Sequence, residues 1–199
     1  MTMKHPLGLL MILLCATSAA AQGIKTSLTI GGLVSIQPAG TGSSIYLSGF
    51  GGNAKGAMAA VSTVRSDGFT FSLECTTTTP ISAFQDGRLV DGPIPLETRH
   101  RDTLLSVLPG FVILNDGTNS VNLKGGLSLV HGSTSRGGEK WNDNRVGLTG
   151  GIEFVFKAGR AALVPAASYT FVDRGDENYL LEAGSHLVRI SLGVRFGLN

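Results

Sequence analysis

The chain has 199 residues, with 16 Lys and Arg against 14 Asp and Glu, a net charge of +2. That balance argues against nucleic acid or an acidic substrate as the main partner. Charged residues are only 15% of the chain, Gly reaches 28 and apolar residues 42%; charge is sparse and Gly about twice as frequent as in ordinary soluble domains. There is enough apolar material to bury a surface, so disorder is disfavoured for most of the chain.

The first segment reads as a targeting leader. Lys4 and His5 form a short basic head, and Leu7 to Ala16 is an apolar stretch. Ala19 and Ala21 then satisfy the small-x-small cleavage rule of a secretory signal peptide. The stretch is too short for a membrane anchor, which must cross about 30 Å. Leu14 stands before Cys15 where a lipoprotein signal wants a small residue. Cleavage is therefore expected after Ala21, leaving Gln22 to Asn199 as one domain. Only Cys75 then remains, so no intrachain disulfide is expected. Beyond the leader no apolar run approaches the 18 or so residues of a transmembrane helix. With a mean hydropathy of +0.22, an exported chain of this kind has one other way into a bilayer, a closed β-barrel.

Period-two alternation supports that expectation along the chain. Ser27 to Gln37 sets Leu28, Ile30, Val34 and Ile36 against Thr29, Ser35 and Gln37. Gly52 to Arg65 is rich in small residues. Phe69 to Pro80 sets Phe69, Phe71, Leu73 and Cys75 against Thr70, Ser72, Glu74 and Thr76. Arg99 to Ile113 carries Leu105, Val107, Phe111 and Ile113 on one face. Its other face mixes Asp102 and Ser106 with Leu104, Leu108 and Val112. Asn119 to Gly132 opposes Val121, Leu123, Leu127 and Leu129 to Asn122, Lys124 and Ser128. Arg145 to Lys157 opposes Val146, Leu148, Ile152, Phe154 and Phe156 to Arg145, Thr149, Glu153 and Lys157. Ala161 to Asp173 aligns Leu163, Pro165, Ala167, Tyr169 and Phe171. From His186 onward, Val188, Ile190, Leu192, Val194 and Phe196 share one face, and Arg189, Ser191 and Arg195 the other.

These segments count eight strands, or ten if Ser43 to Phe50 and Leu89 to Pro95 are added. Their connections alternate in length. Residues 66–68, 114–118 and 158–160 are short and carry the Asp, Asn and Gly of tight turns. Residues 38–51, 81–98, 133–144 and 174–185 are longer and polar or Gly-rich. Short turns at one end and long loops at the other match a bacterial outer-membrane barrel, with turns and termini on the periplasmic side.

The mature chain resembles a small bacterial outer-membrane β-barrel of the OmpX-like or OmpA-barrel type. Residues 99–110, 150–174 and 186–199 carry the likeness most clearly. The resemblance implies an all-β, closed antiparallel up-and-down barrel that touches outer-membrane lipid and is read by the barrel-assembly machinery at its C-terminal strand. In such proteins the terminal residue is often aromatic, whereas here Phe196 is followed by Gly197, Leu198 and Asn199.

An eight-stranded barrel is just wide enough for side chains to fill. Charges on the polar face then point inwards and must be paired. Glu74, Lys124, Arg145, Glu153, Arg189 and Arg195 form the expected network, with Glu153 to Arg189 or Arg195 as the favoured pair. Gly31, Gly126, Gly151, Gly193 and Gly197 are expected to make room for the long basic side chains. Val188, Ile190, Leu192, Val194 and Phe196 are expected to face lipid. An interior filled this way leaves no wide channel.

No catalytic residues, metal or cofactor are expected. His100 and Asp102 share a face with Ser106, but residues four apart on a strand are about 13 Å apart and form no triad alone. His131 with Ser133 matches no specific motif. His100, His131 and His186 lack metal-ligand spacing, and the acids of residues 173–177 lack the full spacing of a calcium loop. The RGD at 174–176 is common by chance. Trp141 and Tyr179 are expected at the membrane interface, with partner contact as the alternative. The leading function is a non-enzymatic outer-membrane barrel acting through its outer loops. The alternatives are a soluble exported lipocalin-like barrel with an apolar ligand inside, and a lipid-modifying enzyme with a His and a Ser meeting near the rim.

Overall fold

The computed structural model describes residues 24–37, 52–85, 96–136, 138–172 and 186–198. The leader, the candidate strands at 43–50 and 89–95, the RGD tripeptide and Tyr179 lie outside these residues. Nine strand segments occur among the described residues: β1 (Lys25–Gln37), β2 (Gly52–Val64), β3 (Phe69–Thr78), β4 (Ile81–Gln85), β5 (Leu96–Asn115), β6 (Asn119–Arg136), β7 (Glu139–Ala158), β8 (Ala161–Val172) and β9 (His186–Gly197). Both β3 and β4 pair with β5, so β4 prolongs β3 after an interruption at Thr79 and Pro80. Pro has no N–H to give to a ladder, which accounts for a break at this point. The barrel therefore has eight staves, as the alternation predicts.

Every pairing is antiparallel; all but β1–β9 and β3–β5 join consecutive strands, and these two close the ring. Closure pairs the backbone polar groups from strand to strand around the belt, above which β4, paired only with β5, and the outer part of β7, beyond its pairing with β8, project. The termini meet at one end, where Lys25 faces Val64 and Ser27 faces Gly197. That end also carries the turns at Gly68, Gly117 and Gly159. These glycines and Gly138, in the β6–β7 turn, have positive φ, a region that Gly enters without the steric cost other residues meet. In the β5–β6 turn, the Asp116 carboxylate accepts from the backbone N–H of Thr118 at 2.8 Å and of Asn119 at 2.5 Å. These bonds, that of Asn119 foremost, hold the Asp116 carboxyl below the usual carboxylate range.

Two long loops read from the sequence contain strand. Residues 133–144 form the outer ends of β6 and β7, paired as far as Arg136 and Glu139. Residues 81–85 and 96–98 are paired in β4 and β5. Here the sequence loses its apolar period although the ladder continues. In β6 and β7 the outward residues turn polar from His131 and Asn144 onward, so no alternation marks the strands.

The inward glycines also have a different role from the one expected. A Cβ on Gly31 would lie 2.6 Å from the Cα of its cross-strand partner Gly193, and one on Gly193 would lie 2.7 Å from Cγ2 of Thr29. Gly126 and Gly151 are blocked by the carbonyls of Val107 and Ala167 in the same way. These glycines let neighbouring backbones approach rather than make room for Lys or Arg, and Gly197 is exposed. Gly31→Val is expected to abolish most of the compact folded form, whereas Gly150→Ala, with nothing within 4 Å of a new Cβ, is expected to fold normally. The fraction that migrates as a folded band without boiling on a detergent gel reads both outcomes.

Candidate functional site

The alternation sorts the side chains into an outer belt and a filled interior. Outward residues are apolar and exposed: Leu127 is 58% exposed, Leu148 62% and Ile190 55%. Leu192, Val194 and Phe196 share this face, and Val188 lies on it half-buried. Near its upper edge, the Tyr169 hydroxyl bonds Nδ1 of His186 at 2.5 Å, and Phe171 packs against the same imidazole.

Inside, polar and apolar side chains stack in layers. The layer towards the short turns is ionic. Lys124 contacts Glu74 and lies 2.8 Å from Glu153. Glu153 also lies 2.8 Å from Arg195 and accepts from Nδ2 of Asn122 at 2.8 Å. Arg195 Nε donates to the Thr29 hydroxyl at 2.9 Å. Glu153 is only 4% exposed and Lys124 8%, so each charge is stabilised mainly by its partners.

Above it runs a chain of hydroxyls. Ser106 bonds Ser128 at 2.6 Å, Ser128 bonds Thr149 at 2.5 Å and Thr149 bonds Thr170 at 2.7 Å. Arg189 continues the chain by donating to Thr170 at 2.8 Å and to Thr76 at 3.0 Å. A single side chain thus links β8 across the interior to β3.

Leu104, Val130, Val172 and Leu187 form the next layer and are buried together. Above them, His100 Nε2 lies 3.0 Å from Asp102 Oδ1, and its Nδ1 lies 2.8 Å from the Thr134 hydroxyl. Arg145 pairs with Asp143 at 2.5 Å and approaches Asp102 at 3.9 Å.

The structure thus brings Glu74, Lys124, Glu153 and Arg195 into one cluster, sets Arg189 in the hydroxyl chain and places Arg145 in a separate upper group. The sequence reading did not single out Asn122, Thr29 or the hydroxyl chain. Their signal was inward parity, which Asn122, Ser128 and Thr149 share with charges two or four residues along the same strands. Trp141 departs from its expected place. It has inward parity on β7 and faces Thr134 across the projecting hairpin, so it is off the outward belt.

Two functional alternatives meet obstacles here. For an apolar ligand, the interior space between Leu33, Met58 and Leu108 on one side and Glu74, Lys124 and Arg189 on the other is only about 20 Å³, enough for roughly one water. A His–Ser site at the rim is not assembled among the described residues either. The Leu104 layer separates His100 from Ser106, and His131 lies 2.8 Å from Asn144. No group of three metal-ligating side chains occurs among the described residues.

A closed eight-stave barrel with an apolar outside and a polar interior is the fold of small bacterial outer-membrane proteins. Solved structures with this fold align over nearly their whole length. A major outer membrane protein from Thermus thermophilus matches at 13% identity and TM-score 0.65, covering 88% of this chain and 99% of that one. Ail, the attachment invasion locus protein of Yersinia pestis, matches at 12% identity and TM-score 0.56, with the same coverage. The N-terminal β-barrel domain of Pseudomonas aeruginosa OprF matches at 11% identity and TM-score 0.54, covering 86% of this chain and 97% of that one. No protein-family model matches the chain, and no curated protein matches it.

Lys124→Met removes the cation shared by Glu74 and Glu153, so that Glu74 loses its ion-pair partner and Glu153 keeps only Arg195. Breaking one such partnership costs about 3–5 kcal/mol. The temperature at which the folded gel band disappears is therefore expected to fall clearly, and Glu74→Gln added to Lys124→Met is expected to restore part of the loss.

Proposed function

We propose that this chain is an outer-membrane barrel without catalytic function, which anchors itself by its apolar belt and presents its outer strand ends to the surroundings. The observation that carries this reading is the polarity of the closed barrel: apolar residues face out along the staves, and charges and hydroxyls face in. An isolated soluble barrel would expose that belt to water, whereas a bilayer covers it at no such cost. The outward residues Val188, Ile190, Leu192, Val194 and Phe196 are the lipid contacts of the last stave. The charged residues Glu74, Lys124, Arg145, Glu153, Arg189 and Arg195 serve the interior rather than a substrate.

The outer ends of β5, β6 and β7 support a surface-interaction role. They continue beyond the apolar belt as paired strands, a firmer platform than free loops. Export depends on removal of a leader near Ala21, and assembly depends on recognition of β9, the stave that closes the ring against β1.

Expression of the full chain in a Gram-negative host tests the proposal. The protein is expected in the outer-membrane fraction, with Gln22 at its N-terminus by intact mass and with anomalous gel migration until boiled. Recovery as a soluble periplasmic protein would overturn the membrane reading.

A further inference from the structure

Arg189 is the one buried cation of the interior that lacks a counter-ion. It is 3% exposed. Its Nη1 and Nη2 donate to the hydroxyls of Thr76 and Thr170, while its buried Nε has no acceptor. Among the described residues no carboxylate pairs with it. Glu74 ends on Lys124, and Glu153 on Lys124 and Arg195. Asp102 is engaged by His100 beyond the Leu104 layer. A buried charge held by hydroxyls alone, with an N–H left over, is costly.

The interior space of about 20 Å³ adjoins this residue, and its polar lining is Glu74, Thr76, Lys124, Ser168, Arg189 and Ser191. Two cations there face one carboxylate, and Lys124 takes up that carboxylate. The lining is also rich in donors. Ser168 is the cross-strand partner of Arg189, and Ser191 follows two residues along β9 with the same parity. Neither serine hydroxyl makes a side-chain hydrogen bond among the described residues. Lys124 has a third N–H beyond those directed at Glu74 and Glu153. The Thr76 hydroxyl accepts from Arg189 and keeps its own proton to donate. A water placed here would add two more donors to this set. A monatomic anion only accepts, and it supplies the charge that Arg189 lacks.

We propose that this space is a binding site for one halide ion, chloride in ordinary media, held by Arg189 Nε and the hydroxyls of Ser168 and Ser191. The size of the space limits the occupant to a single atom or a water and excludes phosphate, sulfate and carboxylates. The ion compensates Arg189 and ties the ionic layer around Lys124 to the hydroxyl chain that Arg189 continues. The site lies inside the barrel and does not depend on what the outer strand ends contact. Enclosed among buried side chains, the ion is taken up as the barrel closes.

The test uses the full mature chain, folded into detergent in chloride-free buffer containing sodium bromide. Crystals grown in the same buffer are measured at the bromine absorption edge. An anomalous peak inside the barrel beside Arg189 Nε is expected. Density at that point without anomalous signal would overturn the proposal and assign the space to a water. In solution, the temperature at which the folded gel band disappears is followed as sodium bromide replaces sodium gluconate at constant ionic strength. The midpoint is expected to rise with bromide and then saturate, because an ion bound only by the folded barrel stabilises it. Ser168→Ala with Ser191→Ala removes two donors but keeps every charge. Losing one hydrogen bond to a charged group costs about tenfold in affinity or more, so the double variant is expected to need at least that much more bromide for half the effect. Ser133→Ala, on the projecting hairpin, is expected to match the wild type. An equal response of the double variant and the wild type, or a midpoint indifferent to bromide, would overturn the proposal. The wild-type anomalous measurement decides the matter even if the double variant yields no folded band.

Discussion

The width of an eight-stave barrel governs the rest of this structure. A ring of that size leaves room inside for little more than the side chains its own strands supply. Each inward Lys, Arg, Asp or Glu must therefore end on another side chain, because little water is available to solvate it. Lys124 between Glu74 and Glu153, with Arg195 on the far side of Glu153, is the direct consequence. So is the chain of hydroxyls, in which each oxygen can both donate and accept and so satisfies its neighbours.

Layering follows from the same constraint. The ionic layer and the hydroxyl chain lie below four buried apolar residues, Leu104, Val130, Val172 and Leu187. The upper group of His100, Asp102, Thr134 and Arg145 lies above them. Arg189 bridges β8 and β3 through two threonines and resists flattening of the barrel's cross-section. A lumen closed by an ion-paired layer and by an apolar one is built for rigidity rather than passage. Outside the lumen the barrel carries the apolar belt and, at its far end, the projecting hairpin of β6 and β7.

Much of this was legible in the sequence because a barrel with one apolar and one polar face writes its register as period two. In β9, Val188 to Phe196 alternate with Arg189 and Arg195, and the structure shows the same division between outside and inside. The reading failed where one of its physical causes stopped. Beyond the belt, residues 133–144 have no apolar period, yet the ladder continues to Arg136 and Glu139. The partners of a given charge were not legible either. Asn122, Lys124 and Arg195 reach Glu153 from β6 and β9, and Arg189 reaches Thr76 across the interior. Spacing along one strand carries no information about shear between strands. The same limit misassigned the inward glycines, whose purpose appears only when Gly31 is seen opposite Gly193. Trp141 was misplaced because composition suggests an interface while its inward parity on β7 was not traced that far.

Paramagnetic accessibility along β9 tests the central claim most directly. Spin labels are placed singly from position 188 to 196 in a Cys75→Ser background, with the barrel reconstituted in lipid bilayers. Labels at Ile190, Leu192 and Val194 are predicted to be relaxed by dissolved oxygen, which concentrates in the hydrocarbon, and those at Arg189, Ser191 and Arg195 to be shielded from it, giving a period of two. A uniform response along the strand, or strong relaxation of Ile190 and Leu192 by a water-soluble nickel complex, would contradict an apolar face turned to lipid around a filled polar interior.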